Sequence, residues 1–444
     1  MESVVKEFAN FIEKSPEIEI PNATLHSAKL IVADCLGAIV GGMAEPEIRM
    51  LAESKGNNVF EILDKTKKVT DETISFLFGT AGTVLEMDEG HQFAKGHPGM
   101  HIFPALLAAA RNREFSGEEF LRAFIIGYDV GARIGLASNL NPTMHPHGTW
   151  GGLGAAAGLA VMNKMNARES SEYLNIVSSL TLATSRKTML EGATVRNSYT
   201  GVSNKMAHVG LMLLKAGFTG EQDGIKSIFS SVVSNKFDDK SAVELLGKRF
   251  EVSRNYFKLH ACCRYNHAAL DALWKIIEQH SEVKNINQIE KIEVQSYNLA
   301  AELKDQNPRN VLACKFSVPF AIATTLANLD SGVLSFTENM RTNKNIQKLC
   351  QKVTIVEDKN MTGKLPNLRP ADVYIQMANG STFKAQVTTN RGDWQDPYSE
   401  EELKQKFISL TTRLWSQKKA LNVYSKSIEL EKIPLDDLIN SIIN

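Results

Sequence analysis

Through the first half of the chain, apolar residues recur at three- and four-residue intervals, as in Leu30-Ile31-Asp34-Cys35-Ala38-Ile39 and Phe120-Phe124-Ile125-Tyr128. That spacing gathers them on one face of a helix and predicts a helix-rich region over about residues 3–218. Ala and Gly crowd residues 105–110 and 151–160, where small side chains let helices approach closely. After about Arg249 the pattern shortens to β-branched alternation, predicting strands at 288–296 and 352–357. Segments 371–377 and 381–388 flank Asn379-Gly380, which predicts a hairpin through a two-residue type I′ turn. Ser399 and Glu402 have capping-box spacing behind Pro397 and predict a helix through Phe407 and on to Leu414. No repeat or low-complexity linker interrupts the chain. Two domains are therefore expected to pack against each other with a cleft between them.

Composition narrows the class. Hydrophobic residues make up 43% of the 444 and charged residues 23%, as in globular proteins of one to three domains. Fifty Lys+Arg balance fifty Asp+Glu, so there is no global positive field to favour nucleic acid or a membrane surface, and no local basic patch replaces it. The longest apolar run without a charged or strongly polar residue, near 151–162, falls short of the roughly 20 residues a spanning helix needs. Five cysteines, at 35, 262, 263, 314 and 350, include no C-x-x-C, and the opening Met1 to Lys14 is polar rather than signal-like. Reduced thiols in a cytoplasmic compartment are expected, without a structural zinc site.

Of ten histidines, eight lie between residues 91 and 267. The first group is embedded in Glu86-Met87-Asp88-Glu89-Gly90-His91, then Lys95-Gly96-His97-Pro98-Gly99, then His101. This reads equally as an acidic helix connection or as a loop exposing titratable groups to a cleft. His145-Pro146-His147-Gly148 precedes the Gly/Ala helix, and helix N-termini attract anions. The string Gly152-Leu153-Gly154 to Gly158 is not a dinucleotide fingerprint, because its third glycine is one position late and no strand precedes it; helix packing explains it better. Lys205 and His208 are three residues apart in a helical stretch, which predicts a shared face. Lys258, His260, Arg264 and His267 form the densest basic stretch. Singly such residues are usually solvated, but together they suit a ligand with two or three carboxylates. Metal ligation is disfavoured: there is no H-E-x-x-H, and Pro98-Gly99 separate His97 from His101. Serine hydrolysis is weaker still, for no G-x-S-x-G is present.

These residues together resemble the MmgE/PrpD family, which includes 2-methylcitrate dehydratase, cis-aconitate decarboxylase and iminodisuccinate epimerase. The likeness rests on Asp34-Cys35-Leu36-Gly37, on Glu86 to His91 with Gly96-His97-Pro98 and Pro104 to Ala108, and on His145-Pro146 before the Gly/Ala helix. It continues through Asn204-Lys205-Met206-Ala207-His208, Lys258 to His267, Phe316 to Phe320 and Arg391-Gly392-Asp393. The resemblance implies a mainly α fold with a smaller α+β domain. A helical domain, 1–250, would be completed by C-terminal helices at 398–444, and an α+β lid, 251–397, would close over a site between the two.

By the same resemblance the catalytic histidines correspond to His97 and His145 and the active-site lysines to Lys205 and Lys258, with an acidic loop at Glu86 to His91. Three positions depart from the family pattern: Glu86 stands for an aspartate, Gly90 for a threonine and Phe320 for a tyrosine. The shared chemistry is a carbanion next to a carboxylate. Lys205 and Lys258 are expected to hold carboxylates and developing charge, and His145 to move the α-proton. His97, oriented by Asp88 or Glu86, would be the second acid or base, and the two histidines' roles are exchangeable. His91, His208, Arg264 and His267 are expected to contact substrate. The expected partner is a small polycarboxylate, with no cofactor or metal, no nucleic acid or membrane, and a homodimeric assembly. The alternatives are epimerisation of an aminodicarboxylate derivative such as iminodisuccinate, a binding protein without catalysis, and a metal-dependent enzyme.

Overall fold

The computed structural model describes residues 3–53 and 59–444. Helices dominate the first half: α1 (Asn22–Gly42), α2 (Asp71–Val84), α3 (Pro98–Ala110), α4 (Gly117–Ala137), α5 (Gly151–Met162) and α6 (Tyr199–Lys215). α4 packs closely on α5. A methyl group on Gly127 would meet the Gly154 carbonyl oxygen at 2.7 Å, and one on Gly131 the Gly154 Cα at 3.1 Å, so glycine sets the interaxial distance here. α1 is long and apolar enough to span a bilayer by composition, which corrects the sequence expectation, yet most of it is enclosed in the helical core.

The second half contains α7 (His267–Gln279), α8 (Val318–Asn328) and a four-stranded sheet of β3 (Ile289–Ser296), β4 (Val353–Glu357), β5 (Ala371–Met377) and β6 (Thr382–Val387). An earlier two-residue ladder joins β1 (Gly90–His91) to β2 (Asn255–Tyr256). The sheet order is β4-β3-β5-β6. Only β3 with β4 is parallel, with Ile292 opposite Val353, while Val373 lies opposite both Val294 and Ala385 in antiparallel pairs. α7 packs on β5 and β6, and α8 on β4, covering one face.

The hairpin is present, but its turn differs from the expected one. Gly380 alone has positive φ, 88°, and Met377 accepts from Gly380 N and donates to Ser381 O. The loop is therefore three residues with a left-handed glycine. Asn379 keeps negative φ, so the type I′ geometry, which needs two positive values, does not form. The capping box at Ser399 and Glu402 is present and starts α9 (Glu400–Thr411). α9 returns to α1: Phe407 lies 3.1 Å from where a Gly37 side chain would begin, and Lys406 Nζ is 2.5 Å from Asp34 Oδ1 and 2.6 Å from the Met87 carbonyl.

Candidate active site

Two short stretches bring the acidic loop to Lys258. After α2 ends, Glu86 takes a left-handed backbone, φ 56°, unusual for a non-glycine residue and typical of functional turns. The chain then enters β1, where Gly90 faces Tyr256 and His91 faces Asn255. Continuing that antiparallel register by two residues sets Asp88 against Lys258. The Lys258 Nζ is 3.5 Å from Asp88 Oδ1 and 3.5 Å from Glu86 Oε2, with all three side chains buried.

His97 stands at the entrance of α3, with Nδ1 2.6 Å from Asp88 Oδ2. The neighbouring Glu89 anchors that entrance, accepting from Gly99 N at 2.6 Å and from the Tyr128 hydroxyl at 3.0 Å. Arg196 comes from a short 3-10 turn, Thr194–Ser198, ahead of α6. It is ion-paired to Glu86 Oε1 and lies over the Phe316 ring at 5.2 Å. His147 sits among three other imidazoles, with ring centroids 4.5 Å from His97, 4.6 Å from His145 and 5.2 Å from His101.

The hydrogen bonds fix what each imidazole can do. A neutral ring has one donor and one acceptor nitrogen. His101 is fully engaged, donating from Nδ1 to the His97 carbonyl (2.7 Å) and accepting at Nε2 from Gly148 N (3.1 Å). His97 donates from Nδ1 to Asp88, so its Nε2 carries the lone pair and has no protein partner among the described residues. His145 Nδ1 faces the His147 backbone N–H at 3.0 Å. Its Nε2 accepts from Arg196 Nε at 3.4 Å. The buried Nδ1 of His147 has no hydrogen-bond partner among the described residues.

Burial tends to raise the Asp88 carboxyl, but the His97 ring and Lys258 ammonium outweigh it and hold the acid well below the usual carboxylate range. Glu86 is also lowered, because Arg196 and Lys258 overcome its burial. For His145 and His147, burial and then the Arg196 charge both disfavour protonation and push the rings well below 6.5. His97 is lowered by burial, with Asp88 opposing. The cluster thus combines ionised carboxylates and neutral imidazoles with the side chains of Lys258 and Arg196.

Of the residues expected from sequence, Glu86, Asp88, His97, His145 and Lys258 converge. Lys205 does not: it is exposed on α6, whose buried face is formed by Thr200, Ser203, Asn204, Ala207 and His208. The boundary between the two faces falls between Lys205 and His208. His208 packs α6 on α3 through the Ala105 carbonyl, 3.2 Å from Nε2. His91 turns away toward Glu251, 3.2 Å, and accepts from Ala94 N. Arg264 is committed to Asp393 at 2.5 Å, to two carbonyls and to His267, whose other nitrogen meets the Cys262 carbonyl. All four thus have protein partners that tie elements together. Phe320 packs on Phe336 inside the smaller domain, so its missing hydroxyl lies in an apolar contact.

Sequence reasoning missed Arg196 as the second cation. Its signal was indirect: three carboxylates in four residues at 86–89 need counter-charges once buried, and Arg196 is an isolated cation between short turns. Among the described residues, no three His, Cys, Asp or Glu side chains are grouped to hold a metal ion.

Comparison with known proteins gives two family matches. The MmgE/PrpD N-terminal domain model covers residues 6–238 and the MmgE/PrpD C-terminal domain model covers residues 260–430. The chain is 19% identical to a cis-aconitate decarboxylase-like protein oryM of Aspergillus oryzae, over 97% of this chain and 95% of the relative. It is 21% identical to a cis-aconitate decarboxylase of Aspergillus terreus, over 98% and 96% of the two chains. It is also 21% identical to a cis-aconitate decarboxylase of Homo sapiens, over 97% and 92%.

Proposed function

The chain belongs to the MmgE/PrpD family, and from that premise we propose that it is a lyase of dehydratase or decarboxylase type acting on a small polycarboxylate without metal or organic cofactor. The observation that carries this reading is the Asp88–His97 pair, whose free Nε2 stands in one cluster with Lys258, Arg196 and the His145 ring.

The reaction centre is a carbon next to a carboxylate. His97 Nε2 takes the proton from that carbon, or returns it, while Asp88 holds the ring in the Nδ1–H tautomer and stabilises its charged form. The electron pair left on carbon spreads into the adjacent carboxylate. Arg196 and Lys258 meet the growing negative charge. In dehydration the pair then expels hydroxide, which leaves as water after gaining a proton. In decarboxylation the carbon–carboxylate bond supplies the pair and protonated His97 quenches it. A general base contributes about 10²–10⁴-fold and one aimed donor about 3–4 kcal/mol. Rate enhancements across enzymes start near 8 kcal/mol, so several donors must act together.

The test is proton NMR on the protein with 2-methylcitrate, citrate, cis-aconitate and iminodisuccinate, before and after exhaustive chelation. Loss of water or carbon dioxide from a tricarboxylate, unchanged by chelation, is the expected result. Stereochemical inversion of iminodisuccinate alone would instead favour the epimerase. Ligand-raised melting temperature without turnover would favour a binding protein.

A further inference from the structure

Arg369 reaches from the smaller domain to the acidic loop, where its Nη2 donates to the Gln92 carbonyl at 3.0 Å. Gln92 answers with its side-chain amide, which donates to the Asn367 carbonyl at 3.0 Å and to that of Pro366. Arg369 is only 5% exposed, yet no carboxylate of the described residues is within ion-pair distance. The nearby Asp393 is already bonded to Arg264, so that pair is internally balanced and Arg369 is not. Around the cluster, Lys258 and Arg196 pair with Glu86 and half-buried Arg186 with Glu302, while buried Lys315, which like Arg369 has no carboxylate of the described residues within ion-pair distance, donates to the Val84 carbonyl at 2.7 Å.

The surroundings of Arg369 place its unbalanced charge at the edge of the cluster. Arg369 lies over the rings of Tyr256 at 6.0 Å and Tyr265 at 5.8 Å. Tyr256 presents its ring edge-on to His97 at 6.3 Å, and Tyr265 is flanked on another side by Arg186, whose charge bears on His145. One aromatic ring thus separates the guanidinium from the proposed base. A charge removed from water with no counter-ion is costly unless a ligand supplies one.

We propose that Arg369 is a specificity-determining residue: it binds a substrate carboxylate remote from the reacting carbon, one more than Lys258 and Arg196 hold. This rests on the polycarboxylate reading above. It makes recognition of the third carboxylate the task of the smaller domain, through a fork suited to planar, bidentate pairing.

Calorimetric titration of the full chain with two unreactive probes tests it, propane-1,2,3-tricarboxylate and glutarate, on wild type, Arg369→Gln and Arg369→Lys. Wild type should prefer the tricarboxylate. Arg369→Gln should weaken that ligand about ten- to a hundredfold, as loss of a charged hydrogen-bond donor does, and leave glutarate within about twofold. Arg369→Lys should restore part of the difference. Circular dichroism melting confirms that each variant is folded. Equal weakening of both probes in Arg369→Gln would mean a structural role and overturn the proposal, as would an unchanged preference for the tricarboxylate. If wild type binds both probes equally, this inference falls while the polycarboxylate reading stands; if it binds neither, both fall together.

Discussion

His97 is suited to proton transfer because of which nitrogen is already occupied. Asp88 takes the Nδ1 proton at 2.6 Å and leaves Nε2 as a lone pair, whereas the neighbouring His101 spends both nitrogens on backbone groups. Two imidazoles four residues apart thus have opposite fates, one reactive and one structural. His97→Gln should lower kcat by about 10²–10⁴-fold with the melting curve preserved. Asp88→Asn should cost on the order of 10³-fold, because an amide donor facing Nδ1 favours the wrong tautomer. The cations separate just as sharply. Arg196→Met should reduce kcat/KM at least about a hundredfold, and, by leaving buried Glu86 with Lys258 as its one remaining ion-pair partner among the described residues, should also destabilise the fold by about 1–3 kcal/mol in urea titration. Lys205→Ala should leave kcat/KM within about twofold, since that side chain is in solvent.

At the scale of elements, a two-residue ladder does what no single residue does. The β1–β2 register aligns Asp88 with Lys258 across 170 positions of sequence, and Gly90 is the pivot. A methyl group there would meet the Tyr256 ring and hydroxyl at 2.4 Å, so Gly90→Ala must push the tyrosine aside or open the ladder. The expected cost is about 1–3 kcal/mol in denaturant titration, with activity falling because Lys258 loses its register. The same contact explains why glycine stands where the family pattern has threonine: Tyr256 fills the space a threonine side chain would use. Local signals in sequence were reliable where the structure depends on neighbours. The capping box at Ser399 and the hairpin strands at 371–377 and 382–387 are set by residues within one turn of each other. The hairpin's turn type was misjudged because Asn379-Gly380 tolerates two geometries, and strand register chose the longer loop. Lys205 was misjudged for a related reason: three-residue spacing gives a common helix sector, but a burial boundary can still divide it. Only tertiary packing sets where that boundary lies.

Across the whole molecule, the mainly α architecture was legible from periodicity, while the site depended on contacts that periodicity does not encode. Arg196 meets Glu86 across 110 positions, and Arg369 meets Gln92 across 277. Burial of so many imidazoles has a thermodynamic consequence. His91, His97, His101, His145, His147 and His267 are all lowered from 6.5, with burial the first cause in each, and His101 reaches about 4. The unfolded chain therefore takes up protons below about pH 6.5 that the folded chain refuses. Stability is complete above that pH and is lost as pH falls from about 6.5 toward 4. His101 alone accounts for roughly 3 kcal/mol of that loss. Differential scanning calorimetry should show melting temperature nearly flat from pH 7 to 8 and falling steeply between about pH 6.5 and 4. A flat profile down to pH 4 would mean that the histidines are solvated and the interior is not closed as described.

The central claim is that His97 moves a proton at a carbon next to a carboxylate. Incubating wild type and His97→Gln with each candidate polycarboxylate in heavy water, and following deuterium entry at the α-carbon by NMR, reads that step whether or not water or carbon dioxide is lost. The account predicts enzyme-dependent exchange in wild type that drops at least about a hundredfold in the folded variant. Exchange at the wild-type rate in His97→Gln would contradict it.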